Sequence, residues 1–195
     1  MYSVGLVPNH SRMLFMKLIK DGTFIDDIWI QVGDEDELPD LPHIIVSLNR
    51  WLDEKSVLLS HRRQIGVNLK SDDNCEIIAE DIADLSLISI YFPVFTDGRP
   101  YSTARVLREK YGFAGELRAV GNVLRDQYLF MHRCGFDSFV VRDNETVTGW
   151  LRAITDLNIW YQPTGDKRVS VTHLRSLRPQ ENKDKNNYDM EEKGL

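Results

Sequence analysis

The residues best suited to chemistry lie between positions 92 and 127. In the stretch FPVFTDGRPYSTARVLREKYG, residues 92–112, Asp97-Gly98 is a dipeptide that turns sharply, Arg99 follows it, and Ser102 is placed to cap a helix. Exposed backbone N–H groups and the positive end of a helix dipole favour an oxyanion, and the Arg99 guanidinium, with Arg105 beyond it, adds a fork-shaped donor. A plainer reading also fits: Ser102 as a cap, Asp97 as an Asx-turn, Arg99 as half of an ion pair. A second junction repeats the pattern, because the run ELRAV ends at Gly121 and Asn122 can cap the segment that carries Arg125, Asp126 and Gln127. Arg118 sits inside that run, where a core-facing charge must be paired, with Glu116, Asp126 or a ligand as the partner. The expected ligand-binding residues are thus Asp97, Gly98, Arg99, Ser102, Arg118, Gly121, Asn122 and Gln127. Asp97 and Asp126 are the carboxylates available as a general base.

Other chemistry finds less footing. His43, His61, His132 and His173 have no partner at metal-ligand spacing, so no metal is expected. Cys134 has His132 and Arg133 beside it, which favour a thiolate, but it follows a helix whose C-terminus disfavours one; Cys75 has still less context. The glycines form neither a dinucleotide-binding nor a P-loop pattern. Trp150, Trp160 and Tyr161 could stack a ring, yet their spacing suits a core equally well. No cofactor follows from these residues.

The elements that must position these groups can be read from periodicity. Phe15 to Val32 reads as two strands around Asp21-Gly22, an N-terminal β-hairpin. Residues 33–42, GDEDELPDLP, form an acidic connector. From His43 onward, β-branched runs alternate with amphipathic stretches, the mark of βα units around a mostly parallel sheet, either doubly wound or an incomplete β/α barrel. The spacing predicts strands at 44–47, 65–69, 87–92, 116–120 and 138–141. Helices are predicted at 50–61, 102–111 and 123–134, with a helical turn at 80–85. Gly112 and Gly135 stand where helices should end. A further helix at 145–157 and closing strands at 158–162 and 169–174 complete a single α/β domain spanning 15–178. It lies between an extension, 1–14, and a polar tail, 179–195, whose composition favours disorder.

Composition limits the classes of function. The formal charge is -6, with basic and acidic residues interleaved, which argues against a nucleic-acid surface. Two cysteines do not make a secreted disulfide framework. No apolar stretch approaches the ~20 residues that span a bilayer. A cytoplasmic setting without membrane association is the expectation.

The string FPVFTDGRPYSTARVLREKYGFAGELRAVGNVLRDQYLFMHRCGFDSF, residues 92–139, resembles the signature of the bacterial domain-of-unknown-function family 934. The likeness extends more loosely back through IIVSLNRWL and IGVNL. Its pattern falls on Asp97, Gly98, Arg99, Ser102, Arg108, Gly115, Glu116, Arg118, Gly121, Asp126, Gln127, Arg133, Gly135 and Phe136, without assigning roles to them. Asn122 departs from it, standing where many relatives are expected to carry Asp. Members are commonly labelled oxidoreductases of sulfite reduction, a label tied to genes beside the sulfite reductase haemoprotein. The resemblance therefore implies an accessory protein of assimilatory sulfite reduction that binds a small oxyanion or anionic cofactor, with the haemoprotein as a partner. Two alternatives stand beside it: an enzyme acting on a phosphorylated or sulfated metabolite, and a non-catalytic adaptor of a redox partner.

Overall fold

A computed structural model describes residues 16–60, 63–142, 146, 148–150 and 176. The expected extension, the closing strands and the tail lie outside the described residues, as do Trp160, Tyr161, His61 and His173. Among the described residues, eight strands form one sheet: β1 (Met16–Lys20), β2 (Thr23–Ile25), β3 (Ile30–Gln31), β4 (His43–Ser47), β5 (Gln64–Leu69), β6 (Leu87–Phe92), β7 (Glu116–Gly121) and β8 (Ser138–Arg142). Their order is β2-β1-β8-β7-β6-β5-β4-β3. Strands β3 to β8 run parallel, each beside its neighbour in the chain, while β1 pairs antiparallel with both β8 and β2. Among the described residues the parallel order has no reversal, so these strands do not build the crevice at which a doubly wound sheet binds its ligands.

Between β1 and β2, Asp21 and Gly22 both take positive φ, 50° and 72°, the backbone of a tight two-residue turn. The second strand of this pair stops at Ile25 rather than reaching Val32, because Ile30–Gln31 leaves for the opposite edge of the sheet and pairs with β4. That placement dictates the shape of the sheet. From Ile25 to Ile30 the chain takes five steps and can reach at most ~18 Å. Seven strand spacings across a flat sheet would require ~34 Å. The sheet must therefore curl until its edges approach, with segment 26–29 bridging them.

The two faces of the curled sheet differ in character. On one, Ile44, Val46, Ile65, Val67, Ile88, Ile90, Leu117 and Phe139 pack against Trp51 and Leu58 of helix α1 (Leu48–Ser60) and against Tyr101, Ala104 and Leu107, in a single buried core. Helix α2 (Arg99–Arg105) widens into a π-type turn over Val106–Lys110. Helix α3 (Tyr128–Arg133) follows a 3-10 turn at Arg125–Gln127, so the single helix expected at 123–134 is divided. The helical turn expected at 80–85 is longer, a 3-10 stretch over Cys75–Asp84 whose Asn74 side chain accepts from Glu76 N–H. Helix α1 begins earlier than expected because Ser47 Oγ accepts the Arg50 N–H at 3.1 Å, a regular N-cap bond. On the other face, Trp29 from the bridging segment covers Ile45 and Leu87 and meets the His43 ring edge-on at 5.3 Å. Among the described residues, no helix is long and apolar enough to cross a membrane.

Candidate functional site

The strand register places one polar residue of each central strand in a single row across the face that Trp29 covers. Ser47 pairs with Asn68, Asn68 with Ser89, Ser89 with Arg118, Arg118 with Ser138, and Ser138 with Lys20. Arg118 is the centre of this row, its side chain only 2% exposed. Its Nε and Nη2 donate to Glu116 Oε1 at 2.9 and 2.8 Å, and Nη1 donates to Asp27 Oδ2 at 2.8 Å. Glu116 also accepts from Ser138 Oγ at 2.6 Å and from Lys20 Nζ at 2.8 Å. Burial pushes the Glu116 pKa up, but the hydrogen bonds from Lys20 and Ser138 and the charge of Arg118 outweigh it, leaving the carboxyl below its ordinary range. The network balances two cations against two anions. It gathers around Glu116, the first residue of β7, at the amino end of the parallel strands, the end at which β/α architectures concentrate stability rather than catalysis.

The carboxyl ends of β5, β6 and β7 form a different site. Asp97 accepts Arg99 Nε at 3.0 Å on Oδ1 and Nη2 at 2.7 Å on Oδ2, and Oδ1 also takes the Arg99 N–H at 3.0 Å. Arg99 Nη2 reaches across to Ser71 Oγ at 3.0 Å, tying the loop after β5 to the loop after β6. The paired Arg99 guanidinium holds the Asp97 carboxyl well below its usual range against a smaller penalty from desolvation, with the Arg99 N–H and Ser71 assisting. Gln127 Nε2 donates to the Phe95 carbonyl at 2.7 Å, joining the loop after β7 to the same cluster, and Gln127 Oε1 is buried with no hydrogen-bond partner among the described residues. Gly121 takes φ +93° with the Phe92 carbonyl 2.5 Å from where a Cβ would stand, so only glycine fits the close approach of β7 to β6. Asn122 N–H then bonds that carbonyl at 2.8 Å.

These placements sort the expected site residues. Asp97, Gly98, Arg99, Gly121, Asn122 and Gln127 all lie on the carboxyl rim. Ser102 does not cap: the helix starts three residues earlier with Gly98 at the N-cap, leaving Ser102 exposed inside the first turns. Asn122 does not cap either, since the next helical turn begins at Arg125 after Leu124. Asp126 is exposed and 4.0 Å from Arg125; it is not the partner of Arg118. Ser71 and Asp27 were missed, the first because nothing local marks it and the second because it meets Arg118 from 91 residues away. Serine, asparagine and arginine inside otherwise β-branched strands were the available signal for the polar row.

A model of the family described as bacterial protein of unknown function (DUF934) matches residues 66–172. The chain belongs to this family. The DUF934 span contains the rim cluster, Glu116 and Arg118, whereas Lys20 and Asp27 precede it. No curated protein matches the chain.

The chemistry available to this DUF934 rim is recognition more than proton transfer. A general base works best when its pKa lies near the operating pH, and the Asp97 carboxyl is held far below that by Arg99, which also occupies both of its oxygens. Arg108, another residue of the resemblance, donates to the carbonyls of Gly135 at 3.0 Å and Gly115 at 2.9 Å, to that of Phe113, and to Asp137, which makes it a structural clamp between helix and strand. Among the described residues, no group of three His, Cys, Asp or Glu side chains could hold a metal ion. Burial pushes the Cys75 thiol up, away from a reactive thiolate.

Proposed function

We propose that the chain is an accessory protein of assimilatory sulfite reduction that binds a small oxyanion or anionic cofactor at the carboxyl rim of β5, β6 and β7. The observation that carries this reading is the posture of Arg99. Its Nε and Nη2 are fixed from behind by Asp97 and Ser71, while the side chain is 61% exposed and, among the described residues, Nη1 has no hydrogen-bond partner. A guanidinium oriented by a carboxylate presents its remaining donors to an incoming anion at little entropic cost. The curl and one-way order of the sheet support an incomplete β/α barrel, in which ligands are taken at the carboxyl ends of the strands. The pathway itself rests on the resemblance.

Thermal unfolding in sulfite, sulfate, phosphate and adenine nucleotides tests the site. A ligand at a hundredfold excess over its dissociation constant stabilises by about 2.7 kcal/mol. That gain should vanish in Arg99→Ala; an equal gain in the variant sinks the site. Growth on sulfate as sole sulfur source, with and without the gene, tests the pathway.

A second reading has its own support. Tyr91, Val94, Phe95 and Leu124 are exposed on the same rim, an apolar fringe around the Asp97–Arg99 pair that suits docking onto a redox partner such as the sulfite reductase haemoprotein. Binding of purified haemoprotein should weaken in Phe95→Glu, and unchanged binding removes this reading.

A further inference from the structure

Three neighbouring parallel strands meet the face opposite the helices with small polar side chains in one row: Ser47 of β4, Asn68 of β5 and Ser89 of β6. Bulky branched residues fill such a layer in a packed β/α barrel, so this row leaves room where β4 and β5 end. Trp29 leaves it open on the carboxyl side, because the residues it covers, Ile45 and Leu87, lie two positions nearer the amino ends. Exposure follows the same direction: Ser89 is 3% exposed, Ser47 and Asn68 are partly buried, and Tyr91, the next residue on that face of β6, is 43% exposed. Within the row, Ser89 Oγ donates to Asn68 Oδ1 at 2.8 Å. That bond turns the amide oxygen toward Ser89 and leaves Nδ2, which has no hydrogen-bond partner among the described residues, as an oriented donor.

The opening adjoins the rim. Asn68 is three residues before Ser71, whose Oγ accepts from Arg99 Nη2, so the Cα atoms of Asn68 and Ser71 are at most ~11 Å apart. A neutral N–H donor held by its neighbour suits an uncharged acceptor such as a carbonyl oxygen, while the charge of a ligand is met by Arg99. We propose that the anion at Arg99 is one end of a longer ligand, a short-chain phosphate or sulfate ester whose carbonyl oxygen accepts from Asn68 Nδ2 in the opening at the carboxyl ends of β4, β5 and β6. The inference rests on the rim reading for the charged end and adds the uncharged end. Tyr91 walls the opening, and the Arg118 network beneath it stays intact.

Three probes separate the two ends: inorganic phosphate, propyl phosphate, and acetonyl phosphate, which differs from the propyl ester by its carbonyl. Dissociation constants from thermal shift on the wild type should show acetonyl phosphate bound about tenfold more tightly than propyl phosphate, the worth of one added hydrogen bond. Asn68→Ala should bring the two esters level while inorganic phosphate binds as before, and Arg99→Ala should lose all three. Equal binding of the two esters by the wild type overturns the inference and, if inorganic phosphate still binds, leaves the rim reading standing; no response to any probe removes both. A preference for the ketone that survives in Asn68→Ala overturns it as well. Should Asn68→Ala fail to fold, the side-chain amide resonance of Asn68 in the wild type decides: acetonyl phosphate should shift it and propyl phosphate should not, and an unmoved resonance rejects the proposal.

Discussion

Arg118 and Arg99 each face a carboxylate, and the contrast between them separates what builds this protein from what it can offer to others. Arg118 is enclosed: 2% exposed, with three donors engaged by two carboxylates from different parts of the chain. Arg99 is braced by its near neighbour Asp97 and by Ser71, and faces solvent. Removing one partner of an enclosed pair leaves the other charge stranded in a medium that solvates it poorly. Removing a partner at the rim leaves both ends to water. Stability should therefore answer to Arg118 and ligand response to Arg99.

The largest effect expected from breaking this contrast is at Arg118. Arg118→Ala should lower unfolding free energy by about 3–5 kcal/mol, because Glu116 and Asp27 lose their shared cation in a largely buried setting. Urea denaturation measures it, and a loss no larger than that of a surface substitution would mean that the network is replaceable by water. Next comes Gly121→Ala, where positive φ and contact with the Phe92 carbonyl combine; about 1–3 kcal/mol should be lost. Retention of full stability there would show that β6 and β7 can move apart at the rim.

Acid should find the enclosed network through Glu116. Its folded pKa lies below its ordinary value of 4.5, so its stabilisation is fully present above that value and is lost as pH falls through the folded pKa. Glu116→Gln should flatten this part of the acid limb while lowering stability at neutral pH. A limb of unchanged steepness would assign acid sensitivity to other carboxylates, Asp97 first, whose pKa is also depressed.

Much of the scaffold was legible because each central strand is short, β-branched and bounded by turn residues, and the five expected at 44–47, 65–69, 87–92, 116–120 and 138–141 all lie within observed strands. The curl was not, since it follows from Ile30–Gln31 pairing with β4 at the far edge, and a two-residue strand has no periodicity to read. The rim was half legible. Asp97-Gly98-Arg99 announces a turn with a cation after it, but the N-cap fell on Gly98 because Pro100, which lacks a backbone donor, is tolerated in a helix's first turn and lets the helix start before Ser102. Arg118 called for a carboxylate, and Glu116 two residues away could be named from the sequence. Asp27 could not, because its reach depends on the curl.

The smallest expected effect is the one that divides recognition from catalysis at the rim. Asp126 is exposed, with Arg125 at 4.0 Å, and Asp97 is ionised and occupied by Arg99. If the rim only recognises an anion, Asp126→Asn should leave both stability and the sulfite or sulfate shift where they are. Arg99→Ala should abolish the shift while unfolding at the same denaturant concentration as wild type without ligand. An enzyme acting on a phosphorylated or sulfated metabolite predicts otherwise: turnover would fall in Asp126→Asn with binding retained, because a base acts on the transition state more than on the bound substrate. Measuring the shift and product release on the same two variants distinguishes these cases, since a silent Asp126 beside an essential Arg99 removes Asp126 as the base, and Asp97 is already engaged by Arg99.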